Sequence, residues 1–425
     1  MQEKSFVLKG DVCCSKDPKT LAFQKDGFLV CLRGLSAGVF AELPARYRAL
    51  PCRDYSGRLI LPGLTDLHVH APQYGYRGLG MDLELLEWLD TRTFPAEARY
   101  GDPEYGEKAY RDFVEDVKRG PNTRVCVFAT VHVPATLKLM DLLEASGLKA
   151  FVGKVNMDRN CPDGLREKDA ASSLAATLEW LEKCRGRYQN VRPILTPRFI
   201  PSCTDRLLEG LGRIQREYGL PVQSHLSENL EEIAWVKKLC PDAAFYGEAY
   251  RRHGLFGGAA KTVMAHCVYS GEEEIRLMKE QGVYVAHCPM SNTNLSSGIA
   301  PVRRYLEEGL ALGLGSDVAG GYATSIFRAM ADAIQVSKLR WRLSDQSLKA
   351  LTLPEAFYLG TIGGGSFFGK TGSFDQGNEL DALVVDDRPF NGGQELTIPE
   401  RLERVTYLSG DQHIEKKFVA GRALW

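Results

Sequence analysis

Residues Leu61 to His70 read LPGLTDLHVH, and this stretch decides the fold. Side chains two apart in an extended strand share a face, so His68 and His70 present their imidazoles together at the end of a short apolar run. A catalytic zinc site needs about three or four N, O or S ligands with one position open to water, so other segments must complete the set. Three segments further along have the matching form. His225 in VQSHLSEN, His266 in VMAHC and Asp317 in LGLGSD each close a short apolar or β-branched run, and helix-like stretches separate them. Catalytic side chains recurring at strand ends in chain order are the pattern of a parallel (β/α)₈ barrel with its site at the C-terminal rim.

At 425 residues the chain exceeds the about 250 of a typical single barrel, which leaves room for a second, smaller domain. Hydrophobic and charged fractions of 44% and 25% are those of a soluble globular protein. A formal net charge of −1 provides no basic surface for nucleic acid or an anionic membrane, so a small-molecule substrate is expected. The N-terminal MQEKSFVLKGDVCC lacks the apolar core of a signal peptide, and no run approaches the about 18 apolar residues of a membrane span; a cytoplasmic protein is expected. The 11 cysteines form no C-x-x-C pair and read as reduced, mostly buried thiols, with the adjacent Cys13 and Cys14 structural.

The two ends of the chain differ from its middle. Up to about Leu61, short apolar runs such as Phe28–Leu32 and Arg58–Leu61 alternate with Gly, Asp and Ser turn signals. Beyond about Gly372, Glu379–Val385 and His413–Gly421 again read as strands. The middle alternates strand and helix signals, which favours a parallel α/β architecture. Thr204 or Asp205 caps a helix with the stripe Leu207, Leu208, Leu211 and Ile214, and Gly219 stops it before the strand of His225. The pattern repeats from Gly271 through Ile275, Leu277 and Met278 to Gly282 and a strand at Val283–Ala286. The expected fold is therefore a distorted (β/α)₈ TIM barrel over residues 62–366, with a small β domain built from residues 1–61 and 367–425.

Taken singly, each candidate has an ordinary reading. A lone buried histidine is more often a hydrogen-bonded core residue than a ligand, and an aspartate in a Gly-Ser-Asp turn is commonly a helix cap. Clustering at successive strand ends turns His68, His70, His225 and Asp317 into metal ligands. Asp317 can also accept a proton from the nucleophilic water. Glu228, three residues after His225, could be a surface or capping glutamate; just past a ligand strand it is placed to move a proton to a leaving group. His287 reads as structural, and His132, His253 and His413 have no supporting pattern.

The ordered set H-x-H, H-x-x-E, H and D resembles the amidohydrolase superfamily of metal-dependent hydrolases. The closer likeness is to the branch that deaminates guanine. It is carried by Ala71-Pro72-Gln73-Tyr74, DLELLEWLDTRTFPAE at Asp82–Glu97, GKVNMDRN at Gly153–Asn160, TPRFIPSC at Thr196–Cys203, QSHLSEN at Gln223–Asn229, AHCPMSN at Ala286–Asn292 and GSDVAGG at Gly315–Gly321. The likeness runs from about Leu61 to about Val385.

It implies one zinc per chain on His68, His70, His225 and Asp317, although the same donors suit other divalent metals such as iron, manganese or nickel. It further implies that Asp317, Glu228 and His266 handle the water and the protons. Gln73, Arg198 and Phe199 would hold the purine, where without the likeness Arg198 would read as a salt bridge and Phe199 as core. Trp88 is a further candidate for the pocket wall. Lys154 lies where some relatives carry a metal-bridging lysine, but the one-metal reading is the stronger. A homodimer is expected on the resemblance alone. The rival readings are a related aminohydrolase for another purine, a pterin or a triazine, or a barrel that binds without catalysis.

Overall fold

The computed structural model describes residues 5–425. Four strands open the chain: β1 (Phe6–Asp17), β2 (Thr20–Leu32), β3 (Leu35–Phe40) and β4 (Cys52–Pro62). The middle supplies β5 (Leu64–His70), β6 (Asn122–Phe128), β7 (Lys149–Gly153), β8 (Val155–Asn156), β9 (Val191–Pro193), β10 (Thr196–Pro197), β11 (Val222–Leu226), β12 (Thr262–His266), β13 (Tyr284–His287) and β14 (Leu312–Leu314). The C-terminal end adds β15 (Ala382–Val385), β16 (Ile414–Val419) and β17 (Arg422–Ala423). The chain has a TIM-barrel-like α/β fold, with parallel sheets β5-β6-β7-β9 and β11-β12-β13-β14 and the short parallel pair β8-β10.

Helices connect these strands for local reasons legible in the sequence. Thr204 caps the helix Asp205–Tyr218 by accepting a hydrogen bond from Leu207 N at 3.3 Å, and Gly219 ends it at φ 64°. Leu207, Leu208, Leu211 and Ile214 are all buried. The helix Glu272–Gln281 begins with three glutamates, which complement the positive end of its dipole, and Gly282 stops it at φ 64°.

A seven-stranded sheet in the order β17-β16-β15-β4-β1-β2-β3 draws strands from both ends of the chain. Buried ion pairs and hydrogen bonds fasten it to the parallel strands and helices. Arg124 on β6 donates from Nε to Asp381 at 2.7 Å and from Nη2 to Glu379 at 2.8 Å. Lys417 on β16 donates to the carbonyls of Val117, Lys118 and Gly120 at 2.8–3.0 Å, closing the C-terminal end of the helix Pro103–Arg119. Burial pushes this lysine down to about 7.

Two local expectations need correction. The C-terminal region is not strands alone, because Ile398–Leu408 is a helix. Thr397 and Glu400 form its capping box, and Leu402 and Val405 bury one face. The chain also does not run as one strand into the histidines: β4 ends at Pro62, and β5 begins at Leu64. Gly63 marks the break because a Cβ there would lie 2.2 Å from Thr123 Cγ2. Among the described residues no cysteine is joined in a disulfide; Cys13 and Cys14 are buried, whereas Cys52 is exposed.

Candidate active site

The strand β5 is buried from end to end although it carries Thr65, Asp66, His68 and His70. Buried polar groups persist where something satisfies them. Asp66 is satisfied from within, accepting Ser316 N at 3.0 Å, Ser316 Oγ at 2.5 Å and His68 N at 3.1 Å. The His68 carbonyl in turn accepts Asp317 N at 2.8 Å, so these bonds bring the ends of β5 and β14 together. Burial raises the Asp66 carboxyl to about 7.

The imidazoles are not satisfied in this way. His70 Nε2 lies 3.2 Å from His225 Nε2, and Asp317 Oδ1 lies 3.1 Å from His68 Nε2 and 3.5 Å from His70 Nε2. His225 Nδ1 meets the Arg198 carbonyl at 2.6 Å, and a carbonyl only accepts, so that nitrogen carries the hydrogen and Nε2 is bare. His266 is oriented alike by Asn292 Oδ1 at 2.8 Å, which leaves its Nε2 facing Glu228 Oε2 at 3.3 Å and Asp317 Oδ2 at 3.7 Å. His68 Nε2 and His266 Nε2 are buried without a hydrogen-bond partner. Ring nitrogens converging bare on a buried carboxylate are the donor set a borderline divalent cation takes. Ligand atoms of His68, His70 and Asp317 lie within 4.8 Å of one another, as do those of His68, His225 and His266.

Charge states fit the same use. Burial holds His70 and His225 well below the ordinary histidine range, so both are neutral near pH 7, the form that binds metal. Burial works against ionisation of Asp317, but the neighbouring His68 above all outweighs it and keeps the carboxyl well below its usual range. Glu228 goes the other way: burial, then the charge of Asp317, raise it well above the carboxylate range. Two nearby carboxyls pushed apart in this way supply one base and one acid. Ser297 donates to Glu228 Oε1 at 3.3 Å, and Glu232 accepts its backbone N–H at 3.1 Å. Ser227, His266, Cys267 and Asp317 all hold positive φ, and strained backbone of this kind gathers at functional strand ends.

One pocket is lined by His70, His225, Glu228, His266 and Asp317 together with Gln73, Arg198 and Phe199. Trp88 lines it too, with Leu85, Leu89, Leu295 and Glu232, none of the last four anticipated from sequence. Arg198 lines the pocket and makes a buried ion pair, with Nη1 2.6 Å from Glu97 Oε2 and Nη2 3.1 Å from Oε1. Gln73 Nε2 donates to the same carboxylate at 2.9 Å, and Gln73 Oε1 accepts from Ala319 N at 3.0 Å. In the sequence Glu97 stands out only as the charged end of the stretch Asp82–Glu97, after Phe94, Pro95 and Ala96. Lys154 is buried, and Glu167 engages its ammonium. His287 is buried with Nδ1 unpartnered; His132 and His253 are about half-buried, and His413 accepts from Gly410 N at 3.0 Å.

The sequence model of the amidohydrolase family matches residues 59–424, and the chain belongs to that family. It is similar along most of its length to guanine deaminases. The Mus musculus enzyme is 39% identical over 89% of this chain and 85% of its own, and that of Dictyostelium discoideum 38% over 87% and 83%. Among solved structures, guanine deaminase from C. acetobutylicum with guanine in its active site is 45% identical, covers 99% of this chain and 100% of its own, and superposes with a TM-score of 0.96.

Proposed function

We propose that the protein is a guanine deaminase, hydrolysing guanine to xanthine and ammonia. The observation that carries the reading is the meeting, in one pocket, of the bare imidazole and carboxylate cluster with the Gln73, Arg198 and Phe199 wall. The strong likeness to a guanine-bound structure supports it.

His68, His70, His225 and Asp317 would hold one zinc ion. When bound, zinc lowers the pKa of its water from 15.7 to roughly 7 and so supplies hydroxide near neutral pH. The remaining steps belong to side chains. His266 accepts a hydrogen bond from the attacking water through the Nε2 that Asn292 keeps bare. Asp317 takes the water proton, oxygen adds to C2 of guanine, and protonated Glu228 gives its proton to the ring nitrogen beside C2. Collapse of the tetrahedral carbon breaks the C–N bond: the amine takes from Asp317 the proton that came from water and leaves as ammonia, while the hydroxyl proton on C2 returns to Glu228, so guanine and water become xanthine and ammonia with both carboxyls restored. Phe199 stacks on the base, while Arg198 and Gln73 bond its polar edge.

The two parallel sheets form the walls of one distorted (β/α)₈ barrel over 62–366, and the segments 1–61 and 367–425 make up one small β domain. Supporting the closure, Gln223 N bonds Leu195 O at 2.9 Å at one seam, and His70 N bonds Val318 O at 3.2 Å at the other. A homodimer working in the cytoplasm in purine catabolism completes the proposal. Among the described residues no helix is long and apolar enough to cross a membrane. The test is a titration of metal-free protein with zinc while ammonia release from guanine is followed. Activity should saturate at one zinc per chain; no zinc-dependent release would contradict the reading.

A further inference from the structure

Glu97 is only 1% exposed, yet its carboxylate holds three donors, two from Arg198 and one from Gln73. It does not line the pocket itself. It stands behind the wall on the short helix Phe94–Ala98, and Phe94 from the same turn places its ring centre 5.3 Å from Arg198 Cζ. Glu97 and Phe94 therefore fix the guanidinium from two directions.

The donor inventory shows what this does. A guanidinium has five N–H groups, and a carboxylate gripping both Nη atoms takes the end-on fork. Only Nε–H and the outer Nη hydrogens remain for a ligand. The arginine charge is balanced inside the wall, so the pocket presents donors without a net charge, which suits a neutral lactam better than an anion. Gln73 is fixed as well: Oε1 is held by Ala319 N and one Nε2 hydrogen by Glu97, so the amide cannot flip.

The geometry points to Glu97 as a positioning residue that sets specificity. It aims the free edge of Arg198 and the amide of Gln73 at the carbonyl-bearing edge of the purine without touching the base. This inference rests on the guanine reading above. A pair that merely braced the top of the fold would matter equally for every substrate; an aiming device matters only for a base with something at that edge.

The experiment measures kcat/KM of the zinc-loaded full chain on guanine and on 2-aminopurine, which keeps the reacting amino carbon but lacks the carbonyl. Glu97→Gln should lose at least about 30-fold on guanine and no more than about threefold on 2-aminopurine, since only the first base leaves a misdirected donor behind. In an Arg198→Ala background the same substitution should cost guanine less than about fivefold, because the two residues act as one unit. Equal losses on both bases, or losses that multiply in the double variant, would overturn the inference. Zinc content and thermal midpoint are read alongside. If Glu97→Gln does not fold, Glu97→Asp, which keeps the charge but shortens the reach, is held to the same ratio between the two bases. A parent protein inactive on guanine would instead fail at the functional reading itself.

Discussion

The two walls of the pocket treat their polar atoms in opposite ways. At the imidazole wall and behind it, His266 Nε2 and His68 Nε2 are buried without a hydrogen-bond partner, and His70 Nε2 lies 3.2 Å from His225 Nε2. On the opposite part of the lining, Arg198 and Gln73 are both held by Glu97 behind them. The first wall is incomplete, with ring nitrogens left unpartnered, and the second is preorganised by its own hydrogen bonds. Chemistry should therefore fail entirely when the first is damaged and lose selectivity when the second is.

The largest effect should come from the incomplete wall. His225→Ala removes a ligand and should abolish metal binding and lower turnover by at least about 10³-fold. Elemental analysis checks it: a variant that still carries one metal per chain would break the ligand assignment. Glu228→Gln keeps the shape but loses the acid, so metal should stay while kcat falls by about 10²-fold or more. Near-normal turnover there would remove Glu228 from proton transfer.

Damage to the preorganised wall should be smaller and should leave the metal in place. Arg198→Ala should cost guanine about 2 kcal/mol in kcat/KM, the size of an unmade charged hydrogen bond. A value within about threefold of the parent would mean that Arg198 does not read the base. Phe199→Ala should cost about 1 kcal/mol, the scale of a lost stacking contact, and should appear on guanine and 2-aminopurine alike. A loss confined to guanine would blur the division between stacking and edge recognition.

The same contrast explains what the sequence disclosed. His68 and His70 are legible because a strand's two-residue period puts them on one face, and His225, His266 and Asp317 because each closes an apolar run. Thr204 and Gly219 announce their helix through capping chemistry that is local in sequence. Arg198 and Glu97 are 101 positions apart and meet only in the fold, so their ion pair left no periodic trace. Leu89 sits where a short helix gives way to a wider turn at Leu89–Thr93, which has no clean 3.6-residue pattern. The Ile398–Leu408 helix is short and lies between strand-like runs and Gly-rich turns, so its only local sign is the Thr397 and Glu400 capping box.

The most direct measurement is product analysis of zinc-loaded protein incubated separately with guanine, adenine, cytosine and 8-oxoguanine. One xanthine is expected for each ammonia released from guanine, and no ammonia from adenine, which in guanine's pose sets a C2 hydrogen where the leaving amine should be and its C6 amine against the donors of Arg198. Ammonia from adenine at a rate matching guanine, or none from guanine, would contradict the guanine reading.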